Sequence, residues 1–164
     1  MQQRPLFPVL RALVEADVKF VLVGGLAAVL NGAPVHTFDI DIVHSREQAN
    51  VERLLAVLDA LDAVFRAQPE RRLKPALSHL NGPGHQNLLT RFGPLDVLGS
   101  IGRGLVYEDL LVDTALLDIG SGTTIRVLTL EKLIALKEEL GGEKDRAVIP
   151  ILRRTLQEKE RGGG

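Results

Sequence analysis

Two short segments, separated by thirteen residues, dictate how the first half of this chain can fold. Residues 18–23 form an apolar, largely β-branched run that stops at Gly24-Gly25, which predicts a buried strand turning directly into a small-residue helix over 26–30. Asn31-Gly32-Ala33-Pro34 ends that helix, and residues 37–43 alternate acidic with apolar side chains as a second strand. Side chains on a strand alternate faces, so Asp39 and Asp41 share one face while Ile40 and Ile42 point into the core. At that spacing the two Cα atoms lie about 7 Å apart, and two acids so close repel unless a cation joins them. Hard divalent ions take oxygen ligands, and Mg²⁺ uses one or two carboxylates while keeping other positions for water and phosphate. Glycines at a strand-to-helix junction leave the first helical N–H groups open to an anion. Alone, an Asp-x-Asp pair is an edge strand's solvent face and a Gly-Gly pair a tight turn; on neighbouring strand ends they form an anion cradle beside a cation pair.

The rest of the chain reads as a mixed α/β (α+β) domain. Residues 5–16 predict an opening helix with Pro5 in its first turn, and Ser45 caps a long helix whose apolar face is Val51, Leu54, Leu55, Leu58 and Leu61. Pro69, Pro75 and Pro83 break residues 68–86 into a loop around one short strand. Residues 87–92 and 95–98 form a hairpin turning at Gly93-Pro94, and 99–104 a flexible glycine-rich loop. A second hairpin, 115–119 with 123–128, turns at Gly120-Ser121-Gly122. Thr129 opens a helix closed by Gly141-Gly142, and a last helix runs to about 159, interrupted at Pro150. One domain over 1–161 is expected, with a flexible tail at 162–164.

Charge and composition narrow the function classes. Twenty Lys and Arg against twenty-one Asp and Glu leave a net charge of -1, so no global positive field recruits nucleic acid. The absence of cysteine excludes disulfides and thiolate chemistry. The longest apolar stretch, residues 20–30, is half the length of a membrane span and is broken by Gly24 and Gly25, so a cytoplasmic protein with no membrane contact is expected. His36, His44, His79 and His85 lack metal-ligand spacing and are read as surface or structural. Arg66, Arg71, Arg72 and Lys74 form a basic run without interleaved aromatics, read as a solvated loop.

Val21-Leu22-Val23-Gly24-Gly25 followed by Asp39-Ile40-Asp41-Ile42 resembles the polymerase β-type nucleotidyltransferase superfamily. Gly24-Gly25-Leu26-Ala27 and Leu133-Ile134-Ala135-Leu136-Lys137 are most similar to small bacterial nucleotidyltransferases related to abortive-infection and toxin-antitoxin proteins. The resemblance spans residues 18–154. It implies a nucleotidyltransferase fold and a third carboxylate on a later strand, which Asp96 in Leu95-Asp96-Val97-Leu98 supplies. It further implies two Mg²⁺ ions, or Mn²⁺, held by Asp39, Asp41 and Asp96, with Asp96 also taking the acceptor's proton. Gly24 and Gly25 would cradle the triphosphate of ATP or another nucleoside triphosphate, and Lys137 and Lys144 would neutralise its charge. Lys144-Asp145 is similar to a Lys-Asp pair those proteins carry near their last helix. Two positions depart from the pattern. Val35 stands where relatives often have arginine, and Leu26 where other branches have serine, which leaves phosphate contact to backbone amides.

The implied activity is metal-dependent transfer of a nucleoside monophosphate to a hydroxyl on RNA, protein or a small molecule, within a toxin-antitoxin or phage-defence system. The alternative is a nucleotide-binding module of weak or no turnover that acts as an antitoxin or regulator through a partner protein. An antibiotic-modifying enzyme is a third reading, expected to need a larger helical acceptor region than the last 35 residues provide. The sequence offers no aromatic platform or strong basic stripe for an acceptor.

Overall fold

The chain, seen in a computed structural model that describes residues 6–162, builds its core on one seven-stranded sheet. Helix α1 (Phe7–Glu15) carries Pro8 in its first turn, where a missing N–H costs nothing, and buries Val9, Leu10 and Leu13; Pro5 lies outside the described residues. Strand β1 (Phe20–Val23) is buried along its whole length and runs straight into α2 (Gly24–Leu30). Strand β2 (Ile40–His44) begins one residue after Asp39, and α3 (Gln48–Ala60) packs through Val51, Leu54, Val57 and Leu58. Ser45 does not cap α3. Its hydroxyl accepts from the N–H of Glu47, the residue immediately before the helix, and Glu47 occupies the cap position.

After β3 (Val64–Phe65) the proline-rich segment holds a short helix, α4 (Leu77–Asn81), rather than the expected strand. Three prolines exclude a long element but not one turn of helix, and the fully buried Leu80 anchors that turn. Strands β4 (His85–Thr90) and β5 (Gly93–Leu98) form the expected hairpin, with the turn at Arg91-Phe92 instead of Gly93-Pro94. Gly93 pairs with Thr90 and Pro94 with Leu89, and the Thr90 hydroxyl locks the turn by donating to Gly93 O and accepting from Phe92 N–H.

Next come α5 (Tyr107–Leu110), β6 (Thr114–Asp118) and β7 (Thr124–Leu128). Helix α6 (Leu130–Leu140) opens on Thr129, whose hydroxyl accepts from Lys132 N–H, and ends at Gly141 in the left-handed conformation. Helix α7 (Glu143–Gly162) contains Pro150. Gly162 is its last residue, not the start of a tail; residues 163–164 lie outside the described ones.

The sheet order is β3-β4-β5-β2-β1-β7-β6. It is mixed: β2 runs parallel to β5 and β1 parallel to β7, while the other four pairings are antiparallel. Antiparallel pairing of β1 with β2 sets the end of β1 beside the start of β2, with Val23 opposite Asp41. Parallel pairing of β2 with β5 then sets Asp41 opposite Asp96. Central position explains why β1, β2 and β5 read as nearly continuous apolar runs: Val21, Leu22, Ile40, Ile42, Leu95 and Val97 are fully enclosed, each worth about 1.5–3 kcal/mol of burial. An acid on these strands is therefore an exception, and both exceptions fall at one end of the sheet. Among the described residues no helix is long and apolar enough to cross a membrane.

Candidate active site

Asp41, Asp96 and Gly24 meet where β1 ends and β2 begins, and Asp39 immediately precedes β2. Gly24 has φ +72, and a Cβ there would stand 2.1 Å from Asp41 Oδ2. Glycine is required twice over, for the left-handed backbone and for the approach of the carboxylate. Val23 caps α2 without any side-chain hydrogen bond, so the first amides of the helix remain open. Gly25 has a second role: its missing Cβ leaves room for Thr37, whose Oγ1 would lie 2.9 Å from one. That hydroxyl donates to Asp39 O at 3.2 Å and accepts from Asp39 N–H at 3.4 Å, fixing the backbone that presents Asp39.

The electrostatics of the cluster are unbalanced. The Asp41 carboxyl is pushed up to about 7 by burial first, then by a hydrogen bond to the Asp96 carboxyl and by the charges of Asp96 and Asp39, with Arg66 pulling the other way. Such a carboxylate asks for a cation, and an all-oxygen donor set fits a hard divalent one. Among the described residues no three acidic or histidine side chains enclose an ion by themselves.

Arg66 is the partner that sequence reasoning missed. It follows β3, donates through Nη1 to Leu88 O at 3.0 Å and through Nη2 to Asp96 Oδ1 at 2.8 Å. Grouping it with Arg71, Arg72 and Lys74 as a solvated loop holds for Arg71 and Lys74, which pair with Gln68 and Asp59 at the exposed surface. It fails for Arg66, because the β3–β4 pairing turns that residue inward.

Beside the carboxylates opens a cavity of about 190 Å³. Leu98, Ile101, Leu128, Leu133 and Leu136 form its apolar wall, and Gly24, Asp41, Lys137 and Asp145 its polar edge. Lys137 Nζ lies 3.1 Å from Asp145 Oδ1, tying α6 to α7 across the Gly141-Gly142 turn. Lys144 is exposed in the first turn of α7 and does not line this cavity; its neighbour Asp145 does. The Lys144-Asp145 pair was thus visible in the sequence, with the acid rather than the lysine facing the site. The glycine-rich 99–104 stretch is not a free loop: Ile101 and Leu105 exchange two backbone hydrogen bonds, and Ile101 and Gly102 wall the cavity. The described histidine contacts are structural, with His44 Nε2 bonded to Leu80 O, His79 Nδ1 accepting from Ala76 N–H, and His85 Nε2 bonded to Ser100 O.

This sheet order, with acids gathered at the joined ends of β1, β2 and β5, is the nucleotidyltransferase fold. The sequence model of the aminoglycoside-2''-adenylyltransferase family matches residues 5–77, a stretch that includes Gly24, Gly25, Asp39 and Asp41. Among solved structures, the lincosamide antibiotic adenylyltransferase LnuA, bound to lincomycin, shares 18% identity over 92% of this chain and 96% of its own, with a TM-score of 0.63. The antibiotic-resistance factor ANT(2'')-Ia shares 15% over 94% of this chain and 84% of its own, with a TM-score of 0.60. A candidate nucleotidyltransferase from Thermotoga maritima shares 20% over 94% and 92%, with a TM-score of 0.56. At these identities the likeness establishes the fold. No curated protein sequence matches the chain significantly.

Proposed function

We propose that the chain is a nucleotidyltransferase that moves a nucleoside monophosphate, adenylate by preference, from a triphosphate to a hydroxyl of a small polar molecule of the antibiotic class. The observation that carries this reading is the convergence of Asp41, Asp96 and the Cβ-free Gly24 at one end of the sheet. Bound there, Mg²⁺ would neutralise phosphate charge and sharpen the acceptor hydroxyl as a nucleophile.

The chain's own residues divide the remaining work. Gly24, Gly25 and the open amides of α2 hold the phosphates. The apolar cavity takes the uncharged part of the donor, with Lys137 at its edge facing the phosphates. Asp39 and Asp41 present oxygens to the cation. Asp96, held on one oxygen by Arg66, takes the acceptor's proton on the other. Phe38, immediately before Asp39 and 67% exposed, offers an apolar contact for the acceptor that the sequence seemed to lack.

A small-molecule acceptor is favoured over RNA or protein for two reasons. The matching family is that of an aminoglycoside adenylyltransferase, LnuA is named as a lincosamide antibiotic adenylyltransferase and ANT(2'')-Ia as an antibiotic-resistance factor, and LnuA, spanned over 96% of its length, is bound to lincomycin. A chain of this extent is therefore compatible with an antibiotic acceptor. The toxin-antitoxin setting and the inactive regulatory module rest on the sequence resemblance alone. The test is incubation of the purified protein with Mg²⁺, each labelled triphosphate, and a panel of aminoglycosides and lincosamides. Label on one compound, strongest with ATP and lost in Asp41→Asn, is the expected result. Label appearing only on RNA or protein from an extract would move the acceptor to the other class, and no transfer to anything would sink the enzyme reading.

A further inference from the structure

Arg66 enters the site from an element that neither the glycine segment nor the carboxylate pair implicates. Its backbone N–H donates to Asn87 O, which fixes it at the edge of β4, and from there the side chain reaches to Asp96 on β5. Two donors of one rigid fork are engaged at once, Nη1 on Leu88 O and Nη2 on Asp96 Oδ1. A planar guanidinium held at both prongs fixes its carboxylate partner in orientation as well as in charge. The pair is partly sheltered, with 32% of the Arg66 side chain and 14% of that of Asp96 exposed. Among the described residues, Arg66 is the one basic side chain in contact with any of the three acids.

We propose that Arg66 is the positioning residue of this site, pinning one oxygen of Asp96 so that the other faces the acceptor, while its charge restrains the carboxylates' affinity for a divalent cation. The inference rests on the nucleotidyltransferase reading and adds a residue to it. Two consequences of opposite sign follow. Removing the charge strengthens cation binding, because one competing positive group has gone. Removing the fork weakens transfer, because Asp96 is free to rotate away from the acceptor hydroxyl. A residue that merely stabilised the β4–β5 hairpin would lower the melting temperature and produce neither effect.

The experiment measures Mn²⁺ binding by titration calorimetry without nucleotide, beside steady-state transfer, in wild type, Arg66→Gln and Arg66→Lys. Arg66→Gln is expected to bind Mn²⁺ about three- to tenfold more tightly, the size of a partly exposed ion pair converted to affinity. Its kcat should fall at least ~10-fold with little change in the KM for the triphosphate, as for a misoriented general base. Arg66→Lys retains the charge without the fork, so it should keep wild-type Mn²⁺ affinity and still lose kcat. Unchanged or weaker Mn²⁺ binding in Arg66→Gln overturns the inference, as does full kcat in Arg66→Lys. Absence of transfer by the wild type, with Mn²⁺ still bound more tightly by Arg66→Gln, upholds the charge effect and strikes the functional reading instead.

Discussion

Asp41 and Asp96 stand directly opposite each other in the parallel pairing of β2 with β5, and the two carboxyls are close enough to share a hydrogen bond. Parallel neighbours in register project to the same side of a sheet, so the repulsion is built into the topology. The fold holds two acids together that water would separate. In Asp41→Asn the uncharged amide removes that repulsion, so the metal-free melting temperature should stay level or rise, while transfer should fall by at least ~100-fold through loss of a cation ligand. A melting temperature many degrees lower would make Asp41 a structural residue.

The same carboxyl sets the pH dependence of stability. Asp41 titrates near 7 in the folded chain against 3.8 for the free side chain, so between those values the folded state binds the extra proton. Stability rises with pH only where the unfolded state binds more protons, and here the reverse holds. The contribution from Asp41 is therefore fully present below about pH 4 and is lost as pH rises through about 7. Thermal melts without metal should show Asp41→Asn gaining on wild type across that window, and saturating Mg²⁺ should shrink the gap by stabilising the ionised wild type. A gap independent of both pH and Mg²⁺ would refute the assignment.

Gly24→Ala and Gly25→Ala separate the roles of the two glycines. At Gly24 an added methyl meets both a left-handed backbone and the Asp41 carboxylate, so a loss of about 1–2 kcal/mol from the backbone alone is expected, with cation binding impaired as well. At Gly25 the new contact is with Thr37, a side chain that can rotate, and φ is not in the left-handed range. Gly25→Ala should therefore fold nearly as well but misplace Asp39. Calorimetric Mn²⁺ titration and thermal melting of both variants check this, and equal behaviour would contradict the distinction.

How much of this was legible in the sequence depends on the range of the interaction that fixes each element. The β1–α2–β2 segment was readable because a β-branched run, a glycine pair and an acid alternation each act within a few residues. Thr129 and Gly141 likewise marked the ends of α6 by local capping chemistry. Leu77–Asn81 was missed because its helix is held by Leu80 in the distant core, not by its own propensity. The hairpin turn slipped from Gly93-Pro94 to Arg91-Phe92 because the pairing of β4 with β5 decides it. Arg66 was invisible as a site residue for the same reason: it lies 30 positions from Asp96, and only the order of strands brings them together.

Lys137 and Lys144 looked equivalent in the sequence, and the structure separates them. Lys137 edges the cavity together with Gly24 and Asp41, held there by Asp145, whereas Lys144 lies in the exposed first turn of α7 and does not line that cavity. A charge-assisted hydrogen bond to phosphate is worth about 1.5–3 kcal/mol, so Lys137→Met should weaken Mg²⁺-triphosphate binding by about 10- to 100-fold. The fold should tolerate the change, because Asp145 is one-third exposed and a freed carboxylate there is solvated. Lys144→Met should bind within about twofold of wild type, as expected for an exposed, solvated lysine. Titration calorimetry with ATP and Mg²⁺ on the two variants decides the matter. Equal losses would mean that α7 moves toward the site when nucleotide binds, and a loss in Lys144→Met alone would place the triphosphate on the α7 side of the Gly141-Gly142 turn and outside the cavity.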